Sequence, residues 1–401
     1  MLTEHAAQAR ILEKIVPLPT RLAPLTAALH GYAAHAIHAM VPLPRFDHSA
    51  MDGYALRAVD SDNRPLAIVG TIPAGKRSET TLMPGQAMRI FTGAPMPPGA
   101  DAVIMQEDVK VLDEGRQITC TEPVVTGENV RKLGCDLCVG QRVISKGDRL
   151  TPARLAAIAA QGIAKTEIAA PPRIAILTTG DELIPPGQLL QPGCLFNSNG
   201  TLLATLVKEL CSTAAIEHEH VPDDLARTMD ALERLTRECD FLILSGGVSV
   251  GEHDFTKPAL QSLRIAAEFW RVKVKPGKPF LFAETQGTER RCHIFGLPGN
   301  PVSAFVTFQL FVRPALLKAL GASEGYWPLP QSPVQLRSPI ANEGDRPHYV
   351  RGRCHDGIFE PLGMQQSHAL FGLSCANALL RLEPGQTLSP GDRATALICS
   401  R

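Results

Sequence analysis

The sequence carries no net charge: forty Lys and Arg balance forty Asp and Glu. A bulk electrostatic partner, whether nucleic acid or a membrane surface, is therefore not expected. Long hydrophobic runs are missing as well. The longest, Val302 to Val312, is broken by Gln309 and is too short to span a bilayer. The opening MLTEHAAQARILEK lacks a basic stretch leading into an apolar one, so no secretory leader is expected. Ten cysteines are scattered without framework spacing, and the CxxC at Cys135 and Cys138 has no second pair. A disulfide scaffold is thus excluded, inert thiols are favoured over a zinc site, and a reducing cytoplasm is the expected compartment. Catalytic signatures are absent too. There is no GxxxxGK(S/T) loop, no GxGxxG opening a helix, no GxSxG elbow and no HExxH pair, which leaves kinase and serine-hydrolase chemistry without support.

What is present is a chain of 401 residues, 44% hydrophobic and 20% charged. That is a soluble globular composition, long enough for two to four domains. The first forty residues read as helical, over Ala6 to Ile15 and again over Pro24 to His38 with interruptions. From there to about Val130, short β-rich runs (LAIVG, AMRIFTG, DAVIMQED, ITCTEP) alternate with PAG, MPG, PPGA and DEG, the spacing of a small all-β domain. LTPARLAAIAAQG predicts a helix capped by Thr151, with Pro152 in its first turn and Gly162 at its end. From Arg173 to about Gly321, strands (RIAILTTG, DFLILSGG, CHIFGLPG) alternate with helices (TLLATLVKEL, LARTMDALERLT, NPVSAFVTFQLFVRPALLKALG). This predicts a mostly parallel, doubly wound sheet. The tail from about Ser323 is short, turn-rich and β-like.

Glycines collect where these strands end: Gly180, then Gly246 and Gly247, then Gly296 and Gly299. Open α/β sheets bind ligands in that crevice. LSGGVSVGEHD, from Leu244 to Asp254, combines bare backbone with Ser245, Ser249 and two acids, which suits an anion only with a metal between anion and carboxylates. TTGDEL offers Thr178, Thr179 and Gly180 to an anion and Asp181 and Glu182 to a metal; a capped turn is the alternative reading. NSNG, from Asn197 to Gly200, reads as a helix cap. KPGKP presents Lys275 and Lys278 together beside a backbone bend, fit for an oxyanion or simply solvated. LPGNPVS places Pro298 in a turn and opens a helix with Asn300 as its cap and Ser303 in its first turn. FDHSAMDGYA and RIFTGAPMPPGAD read as turns with acids and hydroxyls.

These pieces, in this order, resemble the MoeA and gephyrin E-domain family of molybdenum cofactor synthesis. FDHSAMDGYAL, RIFTGAPMPPGADAVIMQED, GDRLTPARLAAIAAQG, RIAILTTGDEL, LSGGVSVGEHDFTK, VKPGKPFLF and GLPGNPVSAF match its pattern over nearly the whole chain. The resemblance implies a multidomain fold. A central doubly wound, mostly parallel α/β molybdopterin-binding domain (1–20 plus 170–322) is joined by a small all-β domain (45–136), a mixed linker domain (21–44 plus 137–169) and a C-terminal β-barrel-like domain (323–401). It implies molybdenum insertion: adenylylated molybdopterin and molybdate as substrates, AMP released, Mg²⁺ required, and a homodimer whose cleft is shared between subunits. Other cofactor-synthesis proteins are possible partners. By matched motif it points to Asp52 and Thr92, to Glu182, Asp223 and Asp254 for the metal, and to Lys275, Lys278, Ser303, Arg351 and Ser367 for the oxyanion. Thr178, Gly180, Ser245, Gly246, Gly247, Ser249 and Pro298 complete the expected pterin and phosphate loops. Asp136 matches a further acidic position, and Asp224 adjoins Asp223. Arg271 and Gln366 depart from residues common in the family. The rival readings are a nucleotide pyrophosphate hydrolase on the same α/β domain and a non-catalytic carrier or scaffold.

Overall fold

The computed structural model describes residues 1–248, 254–285 and 291–399. They form two compact units, one of Met1–His35, Lys146–Leu155 and Ala164–Arg401, the other of Ala36–Ser145 and Ala156–Ile163.

The larger unit is built on a seven-stranded sheet. Its strands are β1 (Leu2–Thr3), β2 (Arg173–Thr179), β3 (Ala215–Val221), β4 (Phe241–Ser245), β5 (Ala267–Lys273), β6 (Pro279–Glu284) and β7 (His293–Leu297). Their spatial order is β1-β5-β6-β7-β4-β2-β3. All pairings are parallel except those of β6, which runs antiparallel to both β5 and β7. Strands β2, β4 and β7 read as unbroken apolar runs because both sheet faces are covered. Ile174, Ile176, Ile243 and Phe295 face one buried layer, and Ala175, Leu177, Leu242 and Ile294 the other.

The helices follow local signals. Helix α1 (Glu4–Lys14) is capped by Thr3, whose hydroxyl accepts from the Ala6 amide. Helix α2 (Ser198–Leu210) is capped by Asn197, and α3 (Leu225–Glu238) by Asp224. Helix α4 spans Thr256–Ser262. The last helical run starts as α5 (Pro301–Thr307), passes through a π-turn at Phe308–Val312 and ends as α6 (Arg313–Ala319). Pro314 explains the turn: it has no N–H to close onto the Leu310 carbonyl. That carbonyl accepts instead from the Gln8 side chain at 3.1 Å. By length and composition this run could cross a membrane, but 83% of its apolar window is buried inside the protein, where it forms core.

The expected helix over 24–38 does not form. Thr20–Pro24 is a strand paired antiparallel with Lys165–Ala169, only a short 3₁₀ turn follows at Leu25–Ala28, and His30 takes a positive φ of 64°. Long-range pairing wins over the alanine-rich propensity there. The tail of the unit closes into a five-stranded barrel of β8 (Gln331–Leu336), β9 (His348–His355), β10 (Ile358–Pro361), β11 (Ala378–Leu382) and β12 (Arg393–Ile398). Val350, Phe359, Leu380 and Ala396 fill it.

The smaller unit holds the expected β domain. Strands at Gly53–Leu56, Leu66–Ile72, Gln86–Ile90, Ala102–Met105, Val109–Leu112 and Gln117–Cys120 make one six-stranded sheet. Tyr54, Leu56, Ile104 and Ile118 pack on one face, and Ala55, Met88, Ile90 and Val103 on the other.

Candidate active-site cleft

A cleft of about 1410 Å³ opens at the C-terminal ends of β2, β4 and β7. These three strands are neighbours, so the loops that leave them converge. The loop after β2 contributes Thr179, Gly180 and Glu182. Gly180 has φ +141°, and a Cβ there would meet the Glu182 carboxylate at 2.5 Å, so the glycine lets the acid fold over the backbone. Thr178 is fully buried and lines no part of the cleft. Its hydroxyl accepts from Asn197 Nδ2 at 2.8 Å, which makes it a support for the cap of α2.

The loop after β4 brings Ser245, Gly246, Gly247 and Asp254 to the cleft. At Gly247 (φ +62°) a Cβ would sit 2.6 Å from Thr256 Oγ1 and 3.1 Å from Thr179 Oγ1. Only a glycine lets this loop pass between the two hydroxyls. Ser249 lies outside the described residues. Asn199, in the first turn of α2, ties the loops together: its Nδ2 donates to Ser245 Oγ at 2.8 Å and to the Gly299 carbonyl at 2.7 Å. Sequence reasoning took NSNG as a cap whose amides could also meet a ligand; its second asparagine is the brace.

The pair Asp223 and Asp224 divides cleanly. Asp224 caps α3 by accepting from the Arg227 amide at 2.8 Å, and Asp223 faces the cleft. The Asp181 carboxylate accepts from the Asp223 amide at 3.1 Å, so Asp181 positions its neighbour. Lys275 and Lys278 enter from the β5–β6 turn, and Pro298 and Ser303 from the start of α5. Asn300 occupies the cap position of α5 but makes no side-chain capping bond.

The wall from the barrel differs from expectation. Arg351 does not line the cleft; it is 1% exposed. Its guanidinium donates to the Met364 carbonyl and, at 3.1 Å, to the Gln366 carbonyl. Gln365 completes the brace by accepting from the Arg351 amide at 3.0 Å and donating to its carbonyl at 3.1 Å. Burial holds the Arg351 guanidinium below its ordinary pKa. Arg351 therefore shapes the loop whose residues Gln365, Gln366, Ser367 and His368 do reach the cleft. That loop also meets α5, where the Val302 amide donates to the Ser367 carbonyl at 3.1 Å. Besides His368, the cleft receives Arg346 and His348 from the barrel side, both in the DRPHYVRG stretch. Arg346 is held by donating to the Val274 carbonyl at 3.1 Å.

In the smaller unit, Asp52 and Thr92 come together. Asp52 Oδ1 accepts from both the amide and the hydroxyl of Thr92 at 2.7 Å. These two bonds, the amide first, hold the Asp52 carboxyl below the usual carboxylate range. Asp136 lies in the same unit, with its amide donating to the Leu43 carbonyl at 3.0 Å.

The cleft is thus two-sided: Lys275, Lys278 and Arg346 supply positive charge, and Glu182, Asp223 and Asp254 supply carboxylates. Among the described residues, no three His, Cys, Asp or Glu side chains gather into a ready-made metal cage. The carboxylates that line the cleft are hard oxygen donors, of which Mg²⁺ takes one or two while drawing its remaining ligands from phosphates and water. Zinc in a closed structural site would need the missing cage.

Three family models cover the chain in order. The MoeA N-terminal region (domain I and II) matches residues 2–162, the probable molybdopterin binding domain 175–318, and the MoeA C-terminal region (domain IV) 333–398. The molybdopterin molybdenumtransferase of Haemophilus influenzae is 34% identical over 98% of both chains. This chain belongs to the molybdopterin molybdenumtransferase family. A Nostoc member of the family is 36% identical over 92% of this chain and 86% of its own. The crystal structure of a molybdopterin biosynthesis MoeA protein from Pyrococcus horikoshii superposes with a TM-score of 0.84 at 28% identity, covering 99% of this chain and 100% of that one. The protein is an enzyme of molybdenum cofactor biosynthesis, with the N-terminal, molybdopterin-binding and C-terminal regions of its family.

Proposed function

We propose that the protein inserts molybdenum into adenylylated molybdopterin, taking molybdate and releasing AMP. The observation that carries this reading is the two-sided cleft, where lysines and an arginine share one space with three carboxylates. A tetrahedral dianion needs ammonium, guanidinium and hydroxyl donors; a phosphoanhydride with its cation needs hard oxygens nearby. Lys275, Lys278, Arg346, Ser303 and Ser367 would bind molybdate, and the bare loops at Gly180, Gly246 and Gly247 would admit the pterin phosphates.

One or two of Glu182, Asp223 and Asp254 would hold Mg²⁺, which would screen the negative charge of the anhydride. The protein's own groups would orient the two anions so that the metal oxyanion lies against the dithiolene. Asp52 and Thr92 would act from the second subunit of a homodimer, as a preorganised carboxylate–hydroxyl pair. The four-part division of the chain into the domains named above belongs to the same reading. All ten cysteines are free thiols, which supports a reducing cytoplasm as the compartment.

The test is AMP release from adenylylated molybdopterin and Mg²⁺, with and without molybdate, followed by reconstitution of a cofactor-free molybdoenzyme. Molybdate-dependent release with recovered enzyme activity is the expected result. Full release without molybdate and without recovery would identify a pyrophosphate hydrolase instead.

A further inference from the structure

His348 lines the cleft, is 6% exposed, and has no hydrogen-bond partner on either ring nitrogen among the described residues. A buried polar side chain is normally paired, so a group left open on both nitrogens is arranged for something that arrives. Its position is fixed by the backbone. Lys275 and His348 form an isolated parallel bridge. The Lys275 amide donates to the Pro347 carbonyl at 2.8 Å, and the Tyr349 amide donates to the Lys275 carbonyl at 2.7 Å. That pairing fixes the backbone of His348 beside that of Lys275.

We propose that His348 is a proton-coupled contact for the oxyanion: the imidazole takes up one proton from solvent when a tetrahedral dianion docks beside Lys275 and Arg346. This rests on the reading of the cleft as an oxyanion site and deepens it. The groups acting on the ring are all cationic: Lys275 from the β5–β6 turn, Arg351 within β9 and Arg346 just before that strand. Burial, then these three charges, push the imidazole down to about 4, so it is neutral in the empty cleft near neutral pH. Asp345 is spoken for at the surface, 3.4 Å from Arg346. Lys278, His368 and the carboxylates Glu182, Asp223 and Asp254 share the cleft lining.

A neutral imidazole offers one donor and one lone pair, and the lone pair repels an anion's oxygen. An arriving dianion reverses the local potential that kept the proton off. Protonation then makes both nitrogens donors, and the positive ring is stabilised by the anion it contacts. The sign follows from linkage. The bound state holds more protons than the free state, so binding tightens as pH falls, by at most about tenfold per pH unit for one proton.

The experiment is calorimetric titration of the full chain with sodium molybdate between about pH 6 and 8, each in two buffers of different ionisation enthalpy. Wild type and His348→Gln are compared at each pH, which cancels any titration of molybdate itself. We expect the wild type to take up a fraction of a proton per molybdate, with His348→Gln losing that uptake and the matching part of the pH slope. Equal uptake and parallel pH profiles in the two proteins would overturn the proposal and leave the oxyanion reading intact. No molybdate binding by the wild type would overturn both. If His348→Gln fails to fold, NMR of imidazole-labelled wild type serves instead: a His348 ring signal that keeps its neutral chemical shift when molybdate saturates the cleft sinks the idea.

Discussion

Gly277 sits between the two lysines of the KPGKP turn, and replacing it with alanine tests whether that turn is locked onto α5. The residue has φ +116°, a conformation that side chains rarely adopt. A Cβ there would lie 2.5 Å from Thr307 Cγ2, against the roughly 3.5–4.0 Å of a comfortable carbon contact. Thr307 is fully buried and its hydroxyl donates to the Ser303 carbonyl at 2.7 Å, so the methyl cannot swing away without giving up that bond. Backbone strain costs about 1–3 kcal/mol, and the overlap costs about 1–3 kcal/mol more. Gly277→Ala should therefore lose about 2–6 kcal/mol of stability, or shift the turn and weaken molybdate binding through Lys275 and Lys278. Thr307→Ser removes the offending methyl and keeps the hydroxyl. In the double variant the steric part, about 1–3 kcal/mol, should return while the backbone part remains. Urea unfolding followed by the fluorescence of Trp270 and Trp327, both in the larger unit, reports it. A Gly277→Ala protein within about 0.5 kcal/mol of wild type, or no recovery from Thr307→Ser, would refute the packing argument.

Arg351→Lys should behave as a loop defect: one ammonium cannot span both the Met364 and Gln366 carbonyls, so about 2–4 kcal/mol of stability goes, with molybdate affinity falling as a consequence. Unchanged unfolding with lost affinity would instead make Arg351 a direct ligand. Lys278→Ala should weaken molybdate by roughly tenfold to a hundredfold, the worth of one charge-assisted bond, with little change in unfolding; calorimetry in rising salt checks it. The Asp52 carboxyl should titrate below the ordinary range by carbon NMR, and Thr92→Val, which keeps the amide bond, should return part of the shift. Because the folded-state value is depressed, the Asp52–Thr92 contribution to stability is present above the unfolded pKa and fades as pH falls through the folded one. A Thr92→Val signal identical to wild type would show that the hydroxyl bond plays no part.

Much of this protein is written locally. The alternation at 173–179, 198–210, 225–238, 241–245 and 293–297 was legible because each segment carries its own period and its own stop or cap. The glycines at Gly180, Gly246 and Gly247 were legible for the same reason: a strand ending in bare backbone marks a ligand rim. The short runs before Val130 likewise announced a β domain. What failed were features whose cause lies far along the chain. The alanine-rich stretch after Pro24 has helical propensity, yet the amides of His30, Ala33 and Ala34 donate to the carbonyls of Leu150, Asp148 and Glu167, far along the chain. Strand β6 carries the same apolar signature as the parallel strands β2, β4 and β7, yet it pairs antiparallel with both β5 and β7.

The candidate site divides the same way. The residue types, basic turn, acidic loops and helix-opening hydroxyl, were determined by the sequence alone, since motif spacing fixes which side chains leave a strand end. Which member of each pair faces the ligand was decided by tertiary structure. Asp223 reaches the cleft and Asp224 caps a helix; Arg346 lines the wall and Arg351 is buried behind it; Thr179 is at the rim and Thr178 beneath it. A one-residue step along a strand or loop reverses a side chain's direction, and no composition or spacing rule records the result. His348 is the extreme case: one of twelve histidines in the sequence, it becomes a buried imidazole with no partner on either nitrogen among the described residues, where β9 begins against the Lys275 turn.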